Sequence, residues 1–182
     1  MAEKTLHDLF IDELRDAYDG EKQLIKALPK LAKAASSAKL RQAFESHLNQ
    51  TRRQVKRLEK AFASLDERPR GKHCEGMAGI IKEGDSILEE GLDEMALDAA
   101  LVAAGQRAEH YEMAAYGTLV AWAKVMGHSE AALQLQMNLD EEGAADQKLS
   151  VLAENGINQK AANLAHGGGE DARPARKGAK KR

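Results

Sequence analysis

Four stretches of this chain place apolar residues three and four apart over many turns, the spacing of a helix with one buried face. The first, from about Thr5 to Ala35, carries Phe10, Leu14, Ala17, Tyr18, Leu24, Ile25 and Leu28. Thr5 with Asp8 three residues on is a capping pair that starts it. Pro29 falls inside the pattern, but "KLAKAA" continues it, which predicts a bend and not a stop. Ser36 or Ser37 caps the second helix, which runs to about Leu65 with Leu40, Phe44, Leu48, Val55, Leu58, Phe62 and Leu65 on one face. So short a turn predicts antiparallel neighbours.

The charged run "DERPRGKHCEG", with its Pro and Gly, breaks the periodicity. Behind it, "MAGIIKEGDSILEEG" is a short amphipathic piece interrupted by glycine. Residues 66–92 are therefore expected to form a long, partly helical crossover. A third helix is predicted from about Asp93 to Met126. "GHSEAA" then reads as a turn, with Ser129 capping a fourth helix that runs to Asn155 and stops at Gly156. Two hairpins joined by one long crossover between helices two and three make an all-α, ferritin-like four-helix bundle.

Composition agrees. Aromatic residues make up 4% of the chain, and helix-forming Ala, Leu, Glu, Lys, Gln and Arg dominate. The 182 residues suit one domain with a real core. No apolar run approaches the ~20 residues of a membrane span. "MAEKTLHDLF" does not read as a signal peptide, and a single cysteine, Cys74, excludes an internal disulfide framework. These features lead us to expect a cytoplasmic protein without membrane contact.

Net charge is −2, unevenly spread. Residues 167–182 hold six basic and two acidic residues, a net +4, which leaves −6 on residues 1–166. The bundle is assigned to residues 1–166 and a disordered, low-complexity basic tail to 167–182. "RPARKGAKKR" could touch nucleic acid through phosphates, but a solubilising tail is the simpler reading of six basic residues without aromatics.

The candidate chemistry lies on the apolar stripes. "AEHYEMAAYG" puts Glu109 and Glu112 three apart, with Tyr116 a turn further on, inside an apolar helix. Glu is almost never fully buried unless something pairs it. Glu21 lies between Tyr18 and Leu24 on the first helix; Glu142 and Asp146 lie between Leu139 and Leu149 on the fourth. The second helix offers His47, Thr51 and Gln54 between Phe44 and Leu58. Any one of these carboxylates could be a snorkelling or flank residue. Co-located on three helices, with His and Gln on the fourth, they would repel unless protonated or neutralised. A pair of metal ions is the economical neutraliser, and oxygen ligands with some imidazole suit iron or manganese.

Other residues carry less. His110 projects about 100° away from Glu109 and reads as a flank residue. His7, His73, His128 and His166 fall at helix ends, in loops or in the tail. Cys74 has no second cysteine and reads as a plain thiol. Tyr18 and Tyr116 read as core tyrosines with bonded hydroxyls, and either could stand behind a metal ligand. No phosphate-binding loop, dinucleotide fingerprint or Ser/His/Asp nucleophile pattern is present.

"DAYDGEKQLIKALPKLAKAA", "AFESHLNQTRRQVKRLEKAF", "AEHYEMAAYGTL" and "LDEEGAADQKL" resemble the YciE/YciF family of bacterial ferritin-like proteins over about residues 5–160. The resemblance implies a ferritin-like bundle, usually a homodimer, related to rubrerythrin-type di-iron proteins and associated with stress responses. By position, Glu21, Glu109, Glu112 and Glu142 match the carboxylates of the rubrerythrin-like pattern. The sequence departs in having no Glu-x-x-His: the second helix offers Thr51-x-x-Gln54 and the fourth Glu142-x-x-Ala145.

The expected metal set is thus Glu21, His47, Gln54, Glu109, Glu112, Glu142 and Asp146, holding two iron ions, with manganese as the other option. Two functions stay open: oxidation of Fe(II) by dioxygen or peroxide under stress, and a non-catalytic helical stress protein whose polar core is vestigial or holds a structural ion.

Overall fold

The computed structural model describes residues 3–165; the predicted basic tail, and His166 before it, lie outside the described residues. The elements are α1 (Leu6–Ala34), α2 (Ala38–Ala63), α3 (Glu75–Glu89), α4 (Glu94–Val125), α5 (Ser129–Leu152), a π-type segment (Ala153–Ile157) and α6 (Asn158–Ala165). Helices α1, α2, α5 and α4 touch in a ring and form the bundle. The crossover helix α3 lies outside that ring, against α1 and α4. The architecture is the all-α bundle with one long crossover that the periodicity predicts.

The helix starts follow local chemistry. Thr5 and Asp8 form the predicted capping box, each side chain taking the other's backbone N–H. Pro29 sits inside α1 and the helix passes through it. Ser37 caps α2, and Asp93 caps α4 by accepting from Met95 and Ala96 at 2.9 and 3.0 Å. At α5 the expectation fails by one residue. Ser129 is the first helical residue, and His128 holds the cap position without a side-chain cap bond.

The other end of α5 also differs. Gly156 adopts φ 140°, a value open to glycine and to few other residues. It does not end the fold there; it carries the chain through a wide turn into α6, which the sequence reading missed.

A buried carboxylate fastens the α1–α2 turn. Asp98 of α4, 3% exposed, accepts from Ser36 N at 2.9 Å, Ser36 Oγ at 2.7 Å and Ser37 N at 2.8 Å. Further along α4, Gly105 allows a close helix crossing. A Cβ there would stand 2.9 Å from Leu149 Cδ1 and 3.2 Å from Phe44 Cε1.

The apolar core is in two parts. One gathers Phe10, Leu14, Leu58, Phe62, Leu119 and Leu135; the other gathers Leu24, Leu28, Leu40, Phe44, Leu101 and Leu149. On each bundle helix buried polar residues fall between these clusters: Glu21 on α1, His47, Thr51 and Gln54 on α2, Glu109 and Glu112 on α4, and Asn138 and Glu142 on α5, while Asp98 and Gln134 lie apart from them. A polar layer therefore divides the core at mid-height.

Candidate metal centre

Each member of this layer is delivered by helical phase. Glu21 lies three residues after Tyr18 and three before Leu24 and so shares their inward face. Glu109 and Glu112 continue the inward row of Leu101, Gly105 and Ala108 and lead into Tyr116. Glu142 follows Leu135 and Asn138 on α5. None of the four glutamates is more than 5% exposed.

His47, Glu109, Glu112 and Glu142 each bring one ligand atom to within 4.8 Å of all the others, and together they could hold a metal ion. His47 Nε2 is 3.3 Å from Glu109 Oε1 and 3.8 Å from Glu142 Oε2. Glu21 stands beside this set. One of its oxygens accepts from the Tyr116 hydroxyl. Gln54 closes the layer from α2, its amide donating to Glu142 Oε1 at 2.5 Å. Thr51 spends its hydroxyl on its own helix, donating to the His47 carbonyl at 3.0 Å.

Asp146 departs from the expected set. It is half-buried on the α4–α5 flank, where Oδ1 accepts from Gln106 at 3.0 Å and lies 3.2 Å from His110 Nε2. The physical reason is phase: a residue four beyond Glu142 is rotated a further 40° around a 3.6-residue helix. Here that angle moves a carboxylate from the core to its edge. His110 is an exposed flank residue, as its position predicts.

The electrostatics are those of several carboxyl groups crowded into a buried layer. Burial first, then the neighbouring carboxylates, raises the pKa of Glu21, Glu112 and Glu142 well above the usual range. Burial also raises Glu109 to about 8, against a smaller opposing effect of the neighbouring Glu142. Burial lowers His47 to about 4, so its imidazole is neutral at pH 7 and free to act as a ligand. The close His47–Glu109 contact is therefore a contact between neutral groups near pH 7, although its distance alone would suit an ion pair.

Among the described residues, Glu21 Oε2, His47 Nδ1, Gln54 Oε1, Glu109 Oε2, Glu112 Oε2 and Glu142 Oε2 are buried without a hydrogen-bond partner. Buried polar atoms normally have one. Six orphans in one layer, all on side chains able to ligate, fit a bound cation.

Two supporting groups escaped the sequence reading. Arg57 forks onto Glu141 at 2.6 and 2.8 Å and reaches Asn138 Oδ1 at 2.9 Å. Its charge lowers the pKa of Glu142 and Glu21, a smaller effect than burial. Its place three residues after Gln54, on the same side of α2, was the available signal. Asp98 was the other: it lies three and four residues before Leu101 and Val102, on the inward face of α4.

Comparison with known proteins converges on one family. Residues 5–162 match the domain of unknown function DUF892. Protein YciF of Escherichia coli K12 is 44% identical over 163 residues, covering 89% of this chain and 98% of that protein. The crystal structure of the E. coli stress protein YciF superposes with a TM-score of 0.83 at 43% identity, over 86% of this chain and 99% of that one. The solved structure of YcfI from Rhodopseudomonas palustris gives 0.80 at 45% identity, over 81% of this chain and 94% of that one. With its bundle, crossover and polar mid-layer, the chain belongs to the DUF892 family of YciF-like proteins.

Proposed function

We propose that the polar layer is a di-iron carboxylate centre that oxidises Fe(II) with dioxygen or peroxide, in a protein of the stress response. The observation that carries this is the set of six orphaned buried ligating atoms on four helices. A structural role alone would leave each of them unsatisfied at a cost of about 1–3 kcal/mol per group. Iron bound there supplies a one-electron couple, through which Fe(II) oxidation is joined to reduction of the oxidant.

The chain's own residues have separate tasks. Glu109 and Glu142, which bring carboxylate oxygens within 4.8 Å of each other across the α4–α5 interface, would be the carboxylates placed to bridge two ions. Glu21 and Glu112 would be terminal ligands on α1 and α4, and His47 would give the imidazole. Gln54 orients Glu142, and its free Oε1 would be a further ligand. Tyr116 fixes Glu21 by donating to it. Asp146, on the flank, accepts from Gln106 and lies beside His110, outside the proposed ligand set. Manganese would fit the same oxygen-rich set.

The stress assignment comes from the E. coli relative, which is described as a stress protein. We extend two further properties to the chain: a homodimer, for sedimentation at micromolar concentration to check, and a cytoplasmic location. No helix among the described residues is long and apolar enough to cross a membrane. Tethering of nucleic acid by the basic tail would show as salt-dependent DNA binding lost on deleting residues 167–182.

A non-catalytic reading has one observation in its favour: the centre holds a single imidazole, and no Glu-x-x-His occurs. Anaerobic reconstitution with Fe(II), metal counting and exposure to air decide between the two. Two irons per chain and an absorption change on oxygenation are expected. One tightly held ion, inert to air and peroxide, would leave the structural reading standing.

A further inference from the structure

Where α3 leans on α1 and α4, the crossing leaves a cavity of about 30 Å³. Its walls include Leu24, Leu28, Ile80, Ile81 and Ala104, with small residues such as Gly84 leaving the space. Three polar side chains line it. Asp85 is partly exposed, 41% for its side chain, and pairs with Lys30 at 2.9 Å on the outside of the bundle. The other two, His47 and Glu109, are the buried edge of the ligand set, and each has an unpartnered atom: His47 Nδ1 and Glu109 Oε2. The cavity is thus walled mostly by aliphatic residues of α1, α3 and α4 and touches the ligand set at His47 and Glu109.

We propose that this cavity admits and holds dioxygen on its way to the His47–Glu109 edge, and that it discriminates against hydrogen peroxide. The inference rests on the reading of the polar layer as an iron centre. Volume supports it: about 30 Å³ exceeds the roughly 10–15 Å³ that one water needs on this measure, and suits a diatomic molecule. Lining chemistry supports it further. Dioxygen makes no hydrogen bonds and loses none between aliphatic walls. Peroxide would have to shed its hydrogen bonds to water, as any polar group does on passing between such aliphatic walls. A metal cation meets the same barrier more severely, so iron must reach the centre by another way.

The test uses the metal-free full chain first. Methyl relaxation is measured by NMR under pressurised dioxygen, whose paramagnetism marks the methyls it visits. Excess relaxation is expected at Leu24, Leu28, Ile80 and Ala104 over the buried control Leu135, which lies in the other core cluster. Gly84→Leu should abolish the excess: a Cβ there finds its nearest atom 4.0 Å away at Ala104, so a larger side chain can grow into the space. Ala104→Leu fills it from the opposite wall and serves if Gly84→Leu does not fold. With Fe(II) loaded, either variant should slow oxidation by dioxygen at least about tenfold and oxidation by peroxide less than about twofold, at equal iron content. Equal relaxation at the cavity and control methyls would overturn the cavity assignment, whatever the iron does. Equal slowing with both oxidants would overturn the discrimination. Iron inert to both oxidants in the parent protein, with the relaxation excess present and lost in the variants, would defeat the functional reading and still support dioxygen occupancy.

Discussion

His47 Nε2 lies 3.3 Å from Glu109 Oε1, a contact between α2 and α4 inside the bundle core. Burial lowers the imidazole to about 4 and raises the carboxyl to about 8. Near neutral pH the two meet as a neutral pair, ready to exchange a proton for a metal ion.

Glu109→Leu tests what that readiness costs. Exchanging a buried carboxyl for an apolar side chain can stabilise a fold by ~1–4 kcal/mol. The metal-free variant is expected to melt several degrees above the parent, while its iron content and metal-dependent stabilisation fall. Paired apo and metal-loaded melts, with metal counts, check it. A variant that keeps parental iron with no gain in stability would remove Glu109 from the centre.

The pH dependence has a definite sign. The native glutamates hold protons that the unfolded chain releases near 4.5, and the native state therefore binds more protons between there and about 8. Stability of the metal-free protein falls as pH rises through that window, by about 1.4 kcal/mol per unit for each proton retained. His47 opposes this only between about 4 and 6.5, where the unfolded imidazole is the better proton binder. Urea titrations from pH 6.5 to 8 should show a falling midpoint. With metal present the slope should reverse, because uptake releases these protons and tightens with pH.

Gln54→His would put an imidazole near the place where the usual bundle pattern has one. Gln54 is fully buried against Glu142, so a ring of similar reach meets the same carboxylate. Affinity for Fe(II) or Mn(II) should rise at least about tenfold, by anaerobic titration. No change in affinity would place position 54 outside the reach of the ion.

Asp98→Ala should be the costliest change away from the centre. It strips the α1–α2 turn of a carboxylate that holds three donors at 2.7–2.9 Å. A loss of about 2–4 kcal/mol is expected, or roughly 5–12 °C in melting temperature, with metal binding unchanged. Calorimetry checks the first and metal counting the second.

The bundle was legible because long periodic stripes and cap residues agree at nearly every boundary, as at Thr5, Ser37 and Asp93. Where they failed, the reason was local. Gly156 looks like a stop, yet its positive φ only redirects the chain into α6. The inward turn of Glu21, Glu109, Glu112 and Glu142 was legible from their phase against Tyr18, Leu101 and Leu135. Asp146 was not, because a fifth carboxylate one turn from Glu142 satisfies the same spacing rule while lying on the edge. Which of two such neighbours faces the core depends on helix rotation, and spacing within one helix does not record that. Gly84 carried no chemical signal, since its importance is an absence of side chain at a crossing.

The crossover helix commits little to the core: its buried residues are Met77 and Gly84. The ligand-bearing positions lie on α1, α2, α4 and α5, while the covering wall of the cavity belongs to α3. On the proposed reading the crossover shapes part of the reactant's cavity without supplying a ligand, whereas Leu24, Leu28 and Ala104 share helices with the ligands. Substitutions in the crossover would then retune which molecule arrives while the ligand set stays as it is, leaving relatives with one ligand set free to diverge in the oxidant they accept.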